Sequence, residues 1–295
     1  MTSSQVLSDF SDRTAFVTGG ARGIGLGIVR ALLRRGARVA VADISADALQ
    51  SARESLGGDG TDVRFYELDV TDREAYAEVA AELRGDLGEV SLLFNNAGII
   101  DSVSPSRLSY TMWDYVMGIN LNGIYNGIQT FVPSMITAER NCHIVNTASE
   151  AGLLEVGSGF LYHASKYAVV GLSESLRREL EHFNIGVSVL LPGPVATDIV
   201  SNTRDLRPDA APAHTVRATQ ILDSAHAYLN AAGASPDAVG EYVLRGVEGN
   251  QPFIATRSGF EGQLRVRTEA IAAAMGDAQA FMAAFPAEPS GSVEH

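Results

Sequence analysis

In 295 residues the chain has one cysteine and one tryptophan, and counting along it finds a single lysine among 22 basic residues. With Cys142 alone, no disulfide can close within the chain and no cysteine-based zinc site can assemble. The sequence therefore reads as a protein of a reducing compartment, held by its core. Positive charge is scarce too: 22 Lys and Arg against 35 Asp and Glu leave a formal charge of −13, which repels nucleic-acid phosphates and anionic lipid. No nucleic-acid partner is expected. Nowhere is there the uninterrupted apolar run of ~18 residues that a membrane helix needs. The opening dozen residues are polar and acidic, unlike a signal peptide. These absences predict a soluble, cytoplasmic protein with no membrane partner. The scattered His143, His163, His182, His214 and His226 show no ligand spacing, so no metal is expected either.

What the chain does have is 46% hydrophobic residues and 29 glycines. At this length it can bury roughly three quarters of the surface its unfolded form exposes, enough for a core without staples. Short β-branched runs near 15–18, 37–43, 63–69, 90–95, 143–147 and 186–191 alternate with helical patterns near 24–35, 45–56, 72–84, 108–137 and 160–183. This is a βαβ rhythm. Parallel strands need helical crossovers, so the expected fold is α/β: a doubly wound parallel sheet of about seven strands, Rossmann-like, with helices on both faces. A helix near 237–248, a last strand near 253–256 and a helix near 259–284 complete it. We read residues 1–295 as a single domain, with an irregular insertion at 198–236 as a substrate lid and a frayed tail at 286–295.

Ligands of such sheets lie beyond the carboxyl ends of the strands. The first strand runs into Thr18-Gly19-Gly20-Ala21-Arg22-Gly23-Ile24-Gly25, and a helix starts at once. Glycines there permit positive φ and let backbone N–H groups approach a pyrophosphate. The commoner Gly-x-Gly-x-x-Gly spacing is not met, because Ile28 stands where its last glycine would be. Asp43 ends the second strand about twenty residues on, where an acid holds ribose hydroxyls. It would repel a 2′-phosphate by a few kcal/mol at an effective dielectric near 20. Arg22 could attract that phosphate, but on an exposed loop it is screened. NAD is the expected cofactor, ahead of NADP.

The lone lysine, Lys166, falls four residues after Tyr162, although only nine tyrosines are available. On a helix the two share a face with Val169, Ser173, Leu176 and Leu180. A tyrosine working near neutrality must have its pKa brought down, at ~3–4 kcal/mol, and an ammonium ~4 Å away supplies about that. A compact ammonium is not interchangeable with a guanidinium fork. Ser149, after the fifth strand, is placed to bond a substrate oxygen.

Thr18-Gly19-x3-Gly23-x-Gly25, Asn95-Asn96-Ala97-Gly98, Asn120, Ser149, Tyr162-x3-Lys166 and Pro192-Gly193-Pro194-Val195-x-Thr197 resemble the short-chain dehydrogenase/reductase family in its single-domain form, in order and spacing from about residue 13 to 197. The resemblance implies a tetrad. Tyr162 exchanges the proton, Ser149 holds the substrate oxygen, Lys166 binds the nicotinamide ribose, and Asn120 positions a water. It also implies a cofactor bed of Gly19, Arg22, Gly23, Ile24, Gly25 and Asp43, with Asp69 and Val70 at the adenine. Asn96, Ala97 and Gly98 flank the cofactor, and Pro192, Gly193, Val195 and Thr197 enclose the nicotinamide. The implied reaction moves a hydride between NAD(H) and a small-molecule secondary alcohol or ketone. The implied assembly is a homodimer or homotetramer built on the helices near 108–137 and 160–183.

The excess length after Thr197, with Phe131-Val132-Pro133-x-Met135-Ile136 and Arg207-Pro208, is faintly similar to bacterial aryl-alcohol (C-alpha) dehydrogenases that oxidise a benzylic secondary alcohol. That points to a bulky or aromatic substrate. Leu153, Leu154, Ile199 and Val200 are candidates for an apolar pocket, or for core. Glu150, beside Ser149, could contact a polar substrate group but reads more readily as a solvated loop carboxylate, and Trp113 reads as core or subunit contact. Two rival readings are weaker. A sugar-nucleotide epimerase or dehydratase would show Gly-x-x-Gly-x-x-Gly and a larger C-terminal domain, and a dinucleotide sensor would not need the Ser, Tyr and Lys set.

Overall fold

The computed structural model describes residues 7, 9–57, 62–138, 140–156 and 159–284. The tail expected at 286–295 lies outside them. The chain forms two compact units, residues 1–257 and 258–295. In the second, the described structure is chiefly the helix α10 (Glu261–Ala284).

Among the described residues the first unit is built on seven strands: β1 (Thr14–Thr18), β2 (Arg38–Asp43), β3 (Val63–Glu67), β4 (Val90–Asn95), β5 (Cys142–Thr147), β6 (Ile185–Leu191) and β7 (Phe253–Ala255). All pair in parallel, in the order β3-β2-β1-β4-β5-β6-β7. β1, β4 and β5 are buried at every position, which is why they read as continuous β-branched and apolar runs. Alternate side chains feed two cores. Phe16 joins Tyr76, Phe131 and Val169 on the face covered by α3 (Arg73–Leu87), α5 (Gly123–Thr137) and α6 (Phe160–Leu180). Val17 joins Ile28, Leu32 and Val243 on the face covered by α1 (Gly23–Arg34), α2 (Ala46–Ser55) and α9 (Pro236–Glu248). The doubly wound α/β fold expected from the strand rhythm is what forms.

The chain leaves β1 toward β2 and β3, then returns to lay β4 on the other side of β1. The loops after β1 and β4 therefore part at this point and leave a cleft. Two local readings need correction. The helical stretch expected as one piece at 108–137 is α4 (Tyr110–Met117), then a single π-helical turn, Gly118–Asn122, then α5. The insertion expected to be irregular is largely helical, with α7 (Ile199–Asp205) and α8 (Val216–Ala232). Its prolines do not interrupt either helix: Pro208 and Pro212 fall between them, and Pro236 opens α9, where a missing N–H costs nothing.

Candidate active site

A cavity of about 480 Å³ opens at the carboxyl ends of β1 and β4. Every residue assigned to the site from sequence lines it except Gly25 and Asn120, which back it. The glycine-rich turn shapes one end. Gly19 and Gly23 have φ of +59° and +52°, a region that a side chain strains. At Gly25 a Cβ would sit 2.0 Å from the Gly19 carbonyl oxygen, so the turn closes only on a bare backbone. Thr18 Oγ1 accepts from the Asn96 N–H (3.0 Å) and the Ala97 N–H (3.1 Å), tying the two diverging loops together.

The start of α1, like those of α5, α6, α7 and α9, has no side-chain cap, but it alone of these follows the glycine-rich turn at the cavity. Ser45, Asp72, Ser109 and Thr215 each cap the helix that follows them with a side-chain oxygen. Among the described residues, no side chain caps α1, and its first turn carries no acid. Its N–H groups and the positive end of its dipole are left to the cavity, which suits a phosphate. Asp43 is buried at the end of β2, where Oδ1 accepts from the Ser45 N–H (3.1 Å). Arg22 lies 3.5 Å from Asp43 and donates to Asn202 Oδ1 at 2.7 Å, so its fork is already engaged. Asp69 is exposed, and its Oδ1 accepts from Thr71 N–H and Oγ1. Val70 is buried against the backbone of Gly123.

At the other end α6 brings Tyr162 and Lys166 into the cavity one turn apart, and both are buried. Val169, Ser173 and Leu180 bury the rest of that stripe. Lys166 Nζ donates to the Thr147 carbonyl (3.0 Å) and stands 5.7 Å from the centre of the Tyr162 ring. Burial lowers the Lys166 pKa to about 8. It pushes the Tyr162 phenol above its ordinary range, while a hydrogen bond with Ser149 works the other way. This departs from the expectation that the ammonium alone brings the phenol down. In a dry site the cost of a phenolate outweighs what a cation at this distance returns.

Asn120 sits in the π-helical turn, fully buried. Its Oδ1 accepts from the Ile99 N–H (2.9 Å), and its Nδ2 donates to the Ile99 carbonyl and to Ser165 Oγ, both at 3.1 Å. Such turns re-aim one side chain within a helix. Gly98 lies between the two halves of the site: a Cβ there would be 3.2 Å from Asn120 Oδ1 and 3.5 Å from Lys166 Nζ.

Some readings change. Glu150 is buried: Oε2 accepts from Arg257 Nη1 (3.3 Å), while Oε1 has no partner among the described residues. Burial raises its pKa against the pull of Arg257. A Cβ on Gly193 would lie 2.6 Å from that Oε1, so the loop after β6 passes directly over the carboxylate. Of the four candidate pocket residues, Ile199 lines the cavity, and Leu153, Leu154 and Val200 do not. Trp113 is half exposed, which removes it from the core. His163 supports the loop after Ser149, with Nδ1 2.9 Å from the Ala151 carbonyl. Sequence reasoning missed Arg257, and nothing at Arg257 itself signals a pocket.

Residues 13–207 match the family model described as short chain dehydrogenase. The chain belongs to that family. This short-chain dehydrogenase is 35% identical over 272 residues to a C alpha-dehydrogenase of Sphingobium sp. (strain NBRC 103272 / SYK-6), covering 90% of this chain and 88% of that one. Among solved structures it is similar to a short chain dehydrogenase/reductase from Burkholderia phymatum in complex with NAD (28% identity, TM-score 0.84, 90% and 96% coverage). It is also similar to LigD in its apo form from Sphingobium sp. strain SYK-6 (32% identity, TM-score 0.72, 89% and 97% coverage).

Proposed function

We propose that this short-chain dehydrogenase transfers a hydride between NAD(H) and a secondary alcohol or ketone, preferring bulky, apolar or aromatic substrates. The observation that carries the reading is convergence: Ser149, Tyr162 and Lys166 face the same cavity as the uncapped start of α1 and the Gly19 turn. The residues fit the cofactor. Side chains are kept out where a pyrophosphate would pass, and Asp43 is a buried acceptor for ribose hydroxyls. Arg22, engaged by Asp43 and Asn202, is in no position to favour a 2′-phosphate, so NAD stands ahead of NADP. The proposed bed is Gly19, Arg22, Gly23, Ile24, Gly25 and Asp43. Asp69 and Val70 lie at the adenine, 96–98 along the middle, and Pro192, Gly193, Val195 and Thr197 at the nicotinamide.

NAD, when bound, supplies the hydride acceptor and, in its oxidised form, a positive charge. The chain supplies the rest. Ser149 Oγ holds the substrate oxygen, and Tyr162 Oη takes the alcohol proton or, in reduction, gives it to the carbonyl oxygen. Lys166, held by Thr147, favours the phenolate and grips the ribose. Asn120 fixes the Ile99 loop, and Gly98 keeps a side chain out of the gap between Asn120 and Lys166, where a relay water would stand. At the substrate end Ile100, Leu206, Tyr228 and Leu229 make an apolar wall, which supports a bulky hydrocarbon substrate.

The proposed assembly is a dimer or tetramer built on α4–α5 and α6, where Tyr110, Trp113, Tyr125 and Phe160 are exposed. A cytoplasmic setting is part of the proposal; among the described residues no helix is long and apolar enough to cross a membrane. The test is NADH absorbance with purified protein against aliphatic, steroidal, sugar and aryl secondary alcohols, repeated with NADP. The expected result is turnover of an aryl or steroidal alcohol with at least tenfold higher kcat/KM for NAD. No turnover across the panel, or a tenfold preference for NADP, contradicts it.

A further inference from the structure

The Asp101 side chain has no exposed surface, yet it belongs to a loop outside the sheet. A carboxylate is kept in such a place only where partners match its charge and fill its lone pairs. Both partners come from more than a hundred residues away. Arg207 Nε donates to Oδ2 at 2.9 Å, and His214 Nε2 lies 2.6 Å from Oδ1. Arg207 and His214 flank the turn between α7 and α8, the segment that brings Ile199, Asn202 and Leu206 to the cavity. Besides the Arg22–Asn202 bond, three more bonds tie the same segment to the 100–115 stretch. The Ile100 N–H donates to Thr203 Oγ1 (3.0 Å), Tyr115 Oη donates to the Thr203 carbonyl (3.1 Å), and Arg107 Nη1 donates to the Ala213 carbonyl (3.0 Å).

The loop is fixed from the other side as well. Ile99 is gripped through both its N–H and its carbonyl by Asn120. Three consecutive residues thus form a strap: Ile99 to the interior of the site, Ile100 and Asp101 to its outer wall. We infer that Asp101 is a positioning residue, the anchor onto which the 198–215 segment is clasped by Arg207 and His214, and that this clasp holds the substrate-side wall of the cavity closed.

The clasp deepens the alcohol-site reading in saying what its loss does to catalysis, and its first test needs no substrate. Hydrogen exchange by mass spectrometry on the full chain compares wild type with Asp101→Asn and with Arg207→Gln. Arg207→Gln acts from the segment's side and serves if the first variant does not fold. Peptides within 198–215 are expected to exchange at least tenfold faster in each variant, with peptides of 14–43 unchanged. The double variant is expected to match the single ones, because either change opens the same clasp. Unchanged exchange in 198–215, or an equal rise in 14–43, overturns the inference.

The catalytic readout uses 1-phenylethanol and NAD. KM for the alcohol is expected to rise at least tenfold, with kcat and the Kd for NAD within threefold. An unmoved KM alongside faster exchange also overturns the inference. A wild type that turns over no alcohol counts against the proposed function alone, and the exchange measurement then decides the clasp.

Discussion

The two ends of the cavity are held in different ways. The end proposed for the dinucleotide is made chiefly of backbone, with bare glycines and an uncapped helix, tied by a threonine hydroxyl that bridges two loops, all within or directly after strands of the sheet. The substrate end is made of side chains from a helical insertion, fastened to the body by pairs such as Asp101–Arg207. A backbone cradle tolerates no added atom and reads any dinucleotide phosphate alike. A side-chain wall can be rebuilt residue by residue, and so it carries the choice of substrate.

The comparison can be broken at several points. Lys166 lies on the seam between the two ends. Lys166→Arg keeps the charge but replaces a single-point donor to Thr147 with a planar fork in a buried site, and kcat/KM is expected to fall about a thousandfold. Normal rates there would remove the case for the ammonium. At the backbone end, Gly25→Ala places a Cβ 2.0 Å from the Gly19 oxygen. An overpacking cost of ~3 kcal/mol corresponds to about a hundredfold weaker NAD binding by calorimetry. Affinity within threefold of wild type would mean that the turn adapts.

His143 checks the sheet beneath both ends. It is buried in β5, with Nε2 2.8 Å from Ser188 Oγ, and burial lowers its pKa to about 3. The folded state therefore binds fewer protons than the unfolded one between about 3 and 6.5. The stability this group contributes is complete above pH 6.5 and is lost as pH falls toward 3. The slope is about 1.4 kcal/mol per pH unit, and urea titrations at pH 6.5 and 5 are expected to show a loss of ~2 kcal/mol that His143→Gln does not show. Identical slopes would place the proton elsewhere. The smallest effect belongs to the exposed pair Arg204–Asp223, 2.5 Å apart between α7 and α8. Arg204→Ala is expected to change stability by less than about 0.5 kcal/mol in the same titrations. A larger loss would show that the insertion is held by its surface as well as by its buried clasp.

This contrast also explains what could be read in advance. Strand rhythm, the glycine turn and Tyr162-x3-Lys166 are local patterns with a period or a spacing, so the sheet and Gly19, Asp43, Ser149, Tyr162 and Lys166 were legible, whereas Asn120, Asp69, Val70, residues 96–98 and the loop after β6 came only from the family resemblance. The π-helical turn at Gly118–Asn122 was not legible, because it has no residue signature of its own and the one-residue phase shift it makes falls in the middle of a continuous helical stretch. Glu150 was misread as solvated, since its burial depends on Gly193 and Arg257, which reach it only in the folded chain. The partners of Asp101 are 106 and 113 residues away, and no window along the sequence spans that distance. The insertion reads as irregular because Pro208, Pro212 and Pro236 break its pattern, yet all three fall between helices or at a helix start.

The claim on which the rest depends is that the Tyr162 hydroxyl moves the proton. Tyr162→Phe removes one oxygen and leaves the ring in place. With an alcohol that the wild type oxidises, kcat is expected to fall at least ~10³-fold while the Kd for NAD stays within twofold. Turnover within tenfold of wild type would contradict the account.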